Sequence, residues 1–201
     1  MTSTQTVQSE TVQSKTADTA AELHPLLADR WSPRGFDAGH ALAERDLTAL
    51  LEAARWSASA ANTQPWRFLV TRRGEAGFDR LAALLMPGNQ IWAPAASALL
   101  LMAAQTRSAA GEAQPWAHYD TGQAVAHLST QAGALGLAVH QMGGFDRDAA
   151  AAEFGLEPGL EPLVVVALGR RDADAELPEA LAARERAPRE RRPLADLLLA
   201  G

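Results

Sequence analysis

Leu47, Leu50, Leu51 and Ala54 follow Asp46 at helical spacing and the run closes near Ser57, a pattern that predicts an amphipathic helix with Asp46 as its N-cap. Trp66-Arg-Phe-Leu-Val-Thr-Arg72 alternates as a half-buried strand does. Phe78, Leu81, Leu84 and Leu85 mark a second amphipathic helix, broken by Pro87-Gly88-Asn89. Ser97 to Ala104 is apolar without alternation, which predicts a central strand covered on both faces, with Trp92 just ahead of it as a core residue. A helix over 121–137, a short strand over 137–140 and a β-branched core strand from Pro162 to Gly169 complete the pattern. Such mixed helices and strands predict an α+β fold.

The helix over 121–137 is unusual in bulk. Gly122, Ala124, Ala126, Ala132, Gly133, Ala134 and Gly136 leave it narrow, so it is either central in the subunit or buried at a dimer interface. At the other extreme, residues 1–20 are rich in Thr, Ser and Gln and repeat Thr6-Val-Gln-Ser as Thr11-Val-Gln-Ser. They bury too little apolar surface to offset ordering entropy and are expected to form a disordered tail, leaving 21–201 as a single domain. Neither a secretory signal nor an apolar span of ~20 residues is visible, so a soluble, cytoplasmic protein is expected.

Composition removes several chemistries. The net charge of −6 argues against general nucleic-acid affinity, and the absence of cysteine excludes thiolate catalysis and cysteine-ligated clusters. Lys15 is the only lysine and lies in the expected tail, which disfavours a Schiff base. The five histidines show no metal-binding spacing, and the P-loop, dinucleotide and nucleophile-elbow fingerprints are missing. No metal site and no catalytic acid, base or nucleophile is expected. A bound cofactor carrying the chemistry remains compatible with this inventory.

Two motifs suit such a cofactor. Arg30-Trp-Ser-Pro-Arg34 sets two guanidinium forks around a hydroxyl, the donors an anionic phosphate needs, although the same pattern also describes a solvated basic turn. Ser59, Asn62 and Gln64 lie on a helix-to-strand connection, where amides and hydroxyls either bind a ligand or turn the chain. Gly143-Gly144 is either a turn or a place where backbone approaches a flat ring. The arginine-rich run at 184–192 reads by itself as a solvated face, and an apolar close follows at Leu194–Leu199.

Jointly, and in this order, these blocks resemble the nitroreductase family of FMN-dependent oxidoreductases. The resemblance runs from 24 to 197 through Arg30-Trp-Ser-Pro-Arg34-Gly-Phe, the stretch Ala53 to Phe68, Asp120-Thr-Gly-Gln-Ala, Gln141-Met-Gly143-Gly144-Phe-Asp146 and Arg189-Glu-Arg191-Arg192-Pro-Leu. Ala58 stands where members usually have a proline. The resemblance implies a mixed, mainly antiparallel sheet flanked by helices, and a homodimer with FMN at its interface. It implies that Arg30, Trp31, Ser32 and Arg34 contact the cofactor, with Arg189 and Arg191 joining at the phosphate. Ser59, Asn62 and Gln64 would reach the ring from the second subunit, and Gly143 and Gly144 would offer backbone N–H groups to its redox-active edge. It further implies NAD(P)H as donor and a nitroaromatic or quinone as acceptor. Relatives that dehalogenate, dehydrogenate or fragment flavins keep other flavin reactions open, as well as a flavin carrier or sensor without turnover.

Overall fold

The computed structural model describes residues 15–199. Four strands form the sheet: β1 (Trp66–Arg72), β2 (Ala98–Gln105), β3 (Ala138–Met142) and β4 (Leu160–Gly169). Their order is β1-β2-β4-β3, and each of the three pairings is antiparallel. β2 is buried over seven of its eight residues, as its unbroken apolar run requires, because helices cover both faces of the sheet.

The pleat sorts those strands into two cores. Leu99 and Leu101 of β2 with Val165 and Ala167 of β4 face one side, where they meet Phe78 and Leu81 of α3 (Ala76–Ala83) and the indole of Trp92. Ala98, Leu100 and Met102 with Val166 and Leu168 face the other, against α2 (Glu44–Arg55) and α5 (Ala117–Ala134). Pro162 within β4 has no N–H to donate, and the β2–β4 register shifts beside it, between Met102 and Ala103. The remaining helices are short: α1 (Pro25–Ala28), α4 (Pro87–Gln90), α6 (Arg147–Glu153) and α7 (Glu179–Arg186).

Several boundaries differ from the sequence pattern. α2 begins two residues before Asp46, with Ala43 at its N-cap, so Asp46 sits in the first turn, where a negative charge suits the helix dipole. α5 starts four residues before 121 and ends at Ala134, because Gly136 takes a positive φ of 70° that turns the chain into β3. The Pro87-Gly88-Asn89 break is itself a helical turn. Residues 1–14 of the expected tail lie outside the described residues. Next to them, the Ala17 N–H donates to Ala28 O at 2.8 Å and the Thr16 hydroxyl to Asp29 Oδ1 at 2.7 Å.

Candidate functional site

The turn from Arg30 to Gly35 lies beside the outer strand β3. His140 of β3 donates from Nδ1 to Pro33 O at 3.0 Å, since a carbonyl only accepts. Its ring packs 4.4 Å from Trp92. Burial, joined by the charges of Arg34 and Arg30, pushes its pKa down to about 4 against the pull of Pro33 and Ser32. The imidazole is therefore neutral near pH 7 and acts as a prop beneath the turn. Gly35 closes that turn for a steric reason: a Cβ there would sit 2.3 Å from Asp172 O.

Cations converge beside this turn from four parts of the chain. The Arg30 guanidinium donates to Ser32 Oγ at 3.4 Å, and burial, followed by the charges of Arg189 and Arg191, pulls its pKa below the usual arginine value. Arg34 donates from its backbone N–H and from Nη1 to Glu185 Oε1 of α7. Arg189 Nη1 holds Lys15 O at 2.7 Å and Ala28 O at 2.6 Å, while Arg191 Nη1 turns to Glu190 O. Trp31 lies between Lys15 Nζ, 4.8 Å from its ring centroid, and the Arg171 guanidinium at 5.3 Å. Lys15 is also pulled down, first by burial and then by Arg171, Arg189 and Arg34, with Glu185 opposing. Among the described residues no ion pair includes Arg30, Arg189 or Arg191. Mutually repelling guanidinium groups with no carboxylate between them suit a phosphate.

The glycine pair shares this edge of the sheet. It follows β3 directly, and Gly144 O accepts from Met86 N at 2.9 Å and Asn89 Nδ2 at 3.3 Å. A Cβ on Gly144 would come within 3.4 Å of Met86 Cγ and Asn89 Nδ2, whereas one on Gly143 would meet open space.

The Ser59–Gln64 loop stands at the opposite edge, leading into β1. Ala61, Asn62 and Gln64 have φ of 49°, 55° and 46°. Each non-glycine residue in that region costs about 1–2 kcal/mol, less for asparagine, and such strain clusters at functional sites. The Gln64 N–H donates to Ser59 Oγ at 3.1 Å, Gln64 Nε2 to Asn62 Oδ1 at 3.2 Å, and the Ala60 N–H to Asp120 Oδ2 at 3.0 Å. Asp120 is 2 % exposed, yet Asn62 and Gln64 are exposed. A cavity of about 500 Å³ opens between this loop and the connection at 108–117.

One chain thus splits the sequence-derived site in two. Arg30, Trp31, Ser32, Arg34, Arg189 and Arg191 come together, with Gly143 and Gly144 just after the same edge strand, but Ser59, Asn62 and Gln64 do not join them. Three strand spacings of ~4.8 Å separate the two edges. α5 spans the gap: Asp120 holds the loop near its start, and Gly133 near its end lines a cavity of about 290 Å³ with Arg30 and Trp31. From Asp120 to Gly133 the helix rises ~20 Å. Four residues that matter here escape the motif reading. His140 looks like any core histidine, Glu185 is hidden in a charged run, Lys15 lies in the expected tail, and Asp120 stands in a matched block without a role.

A helix-covered antiparallel sheet with an arginine cluster at one edge and a strained amide loop at the other defines an α+β protein whose cation cluster suits an anionic group. The chain belongs to the nitroreductase family, whose model matches residues 27–91 and 82–170. It is similar to a solved structure described as an oxidoreductase containing FMN, with a TM-score of 0.87 and 35% identity over 95% of this chain and 98% of that one. An uncharacterized 15.4 kDa protein from Mycolicibacterium smegmatis is 41% identical over 146 residues, which is 67% of this chain and 95% of that protein. A shorter match, 42% over 50 residues, joins it to the major NAD(P)H-flavin oxidoreductase of Aliivibrio fischeri, covering 23% of each.

Proposed function

We propose that this protein is an FMN-dependent oxidoreductase that takes electrons from NADH or NADPH and delivers them to a small acceptor such as a nitroaromatic or a quinone. The observation that carries this reading is the cluster of Arg30, Arg189 and Arg191, whose charges act on one another and which have no acidic partner among the described residues, with the Ser32 hydroxyl beside Arg30. A terminal phosphate supplies the missing negative charge and accepts from all of them. Family membership and the FMN in the similar solved structure support the choice of anion.

FMN, held by these residues, would supply the redox chemistry that links a nicotinamide donor to the acceptor. The residues of this chain bind and orient. Arg30, Ser32, Arg34, Arg189 and Arg191 hold the phosphate end beside Trp31, and the N–H groups of Gly143 and Gly144 serve the ring edge, where a charge that grows on reduction is best stabilised by fixed dipoles. Ser59, Asn62 and Gln64 serve the ring of the other copy in a homodimer, because Asn62 and Gln64 are exposed and all three lie across the sheet from their own arginine cradle. Tyr119, Gly122, Ala126 and Gly133 form an exposed, mostly small-residue face of α5, with the exposed Trp116 ring 6.5 Å from that of Tyr119, a surface suited to a second copy.

The test is a visible absorption spectrum of the purified protein followed by anaerobic addition of each nicotinamide. A reductase shows a flavin spectrum that bleaches with NADH or NADPH and returns with a nitroaromatic or quinone. A flavin carrier stays yellow with both donors, and a protein without flavin even after incubation with FMN rejects the cofactor assignment.

A further inference from the structure

The Ser59–Gln64 loop departs from ordinary backbone at three non-glycine residues within four positions, and it persists only if its surroundings impose that shape. Most of its supports are local: Ser59 Oγ on the Gln64 N–H, the Gln64 amide on Asn62, and Arg67 Nη1 on Gln64 O at 3.0 Å. Local bonds travel with the loop and cannot fix its place on the protein. The Asp120 carboxyl group can. It is buried in the first turn of α5, whose Ala124, Val125 and Leu128 are locked into the core, and it accepts the Ala60 N–H where the loop leaves extended backbone at Ser59. A rigid helix thereby sets the position of a strained segment through one bond to a buried carboxyl group.

We infer that Asp120 is a positioning residue of the flavin site: through the Ala60 N–H it holds the Ser59–Gln64 loop in the shape that offers Asn62 and Gln64 to the ring of the cofactor bound by the partner subunit. The inference rests on the proposed function for the ligand and on the geometry above for the role. Asp120 touches no ligand and acts only through the loop. Its loss therefore weakens contacts to the ring and leaves those to the phosphate intact.

Two substitutions break the bond from opposite sides. Asp120→Leu removes the acceptor while keeping the branching at Cγ, and Ala60→Pro removes the donor at a place where the extended φ of −146° and ψ of 151° at Ser59 already suit a residue before proline. Asp120→Asn keeps an acceptor oxygen. FMN and riboflavin are titrated by fluorescence against each folded dimer, with visible circular dichroism of the bound flavin and hydrogen exchange across 60–64. The expected result is that Asp120→Leu and Ala60→Pro weaken FMN and riboflavin by the same factor, about tenfold or more, as for a lost charge-assisted hydrogen bond. Both should alter the flavin dichroism and speed exchange in the loop, while Asp120→Asn stays within about threefold of wild type. Wild-type affinity and dichroism in both variants overturn the inference, as does a loss confined to FMN. Should Asp120→Leu fail to fold, Ala60→Pro decides alone. If the unmodified protein binds neither flavin, the proposed function falls and this inference with it; if the unmodified protein binds and the variants bind equally well, only the inference falls.

Discussion

Arg34 and Glu185, 151 positions apart, meet twice on one oxygen: Oε1 accepts the Arg34 backbone N–H at 3.1 Å and Nη1 at 3.3 Å. This pair ties the arginine turn to α7 and gives Arg34 a counter-charge of its own, with the two side chains 22% and 17% exposed. Arg30 has no such partner among the described residues and faces Arg189 and Arg191 instead. Two arginines four residues apart therefore hold different offices. Arg30 is free for an anion, whereas Arg34 also braces the turn.

That difference predicts distinct outcomes for the two alanine variants. Arg30→Ala should weaken FMN by about tenfold or more, the worth of one charge-assisted hydrogen bond, and leave riboflavin nearly unchanged, because riboflavin lacks the phosphate. Arg34→Ala should weaken FMN too and also lower the unfolding temperature of the flavin-free protein, since it strands a half-buried Glu185. Parallel flavin titrations and thermal melts check both. Equal losses for FMN and riboflavin in Arg30→Ala would move that arginine from the phosphate to the ring.

Shortening the chain to begin at residue 21 removes Lys15, Thr16 and Ala17, and with them the Lys15–Trp31 contact, the Ala17–Ala28 bond and one of the two carbonyls that hold Arg189. Compared with a chain beginning at Lys15, this truncation should bind FMN several-fold more weakly, with little loss in riboflavin affinity. Identical FMN dissociation constants for the two chains would show that Arg189 keeps its place through Ala28 O alone.

His140 gives the protein a pH dependence of known sign. Burial, with Arg34 and Arg30, lowers its folded pKa to about 4 from the ordinary 6.5. The unfolded chain therefore takes up the proton first, so the stabilisation is fully present above about pH 6.5 and is lost progressively as pH falls towards 4. A lowering from 6.5 to about 4 sets an upper size of roughly 3 kcal/mol. Urea unfolding between pH 7 and pH 4.5 should show wild type losing more stability than His140→Gln over the same interval. Equal slopes would mean that the imidazole does not titrate against the fold.

The parts of this molecule legible in the sequence are those governed by local pattern. β1 occupies Trp66–Arg72 as its alternation requires, and the unbroken apolar run of β2 lies at the centre of the sheet. The parts that were not legible depend on partners remote in the chain: His140 on Pro33, Arg189 on Ala28, Ala60 on Asp120. Composition cannot tell a propping histidine from a core histidine, because the difference lies in which carbonyl its ring meets. The left-handed backbone at Ala61 was equally hidden, since nothing about an alanine announces a positive φ that the tertiary structure imposes on it.

The last prediction concerns the second copy. Gly122 sits on the exposed face of α5, and a Cβ there would meet no atom within 4 Å in the single chain. A bulky residue at 122 therefore costs the isolated fold little beyond the exchange of glycine for a better helix former. If two copies pack through this face, the same substitution forces them apart, because a close approach of helices depends on the missing side chain. Light scattering should report twice the chain mass for the unmodified protein and a shift towards the monomer for Gly122→Trp, with unchanged far-ultraviolet circular dichroism. The flavin readout separates this surface from any other. Ser59, Asn62 and Gln64 serve the partner's ring in the proposed site, so the separated Gly122→Trp chain should lose affinity for riboflavin as well as for FMN. A Gly122→Trp protein that remains dimeric and retains its flavin would place the interface elsewhere, and a flavin-loaded monomer would reject the shared site altogether.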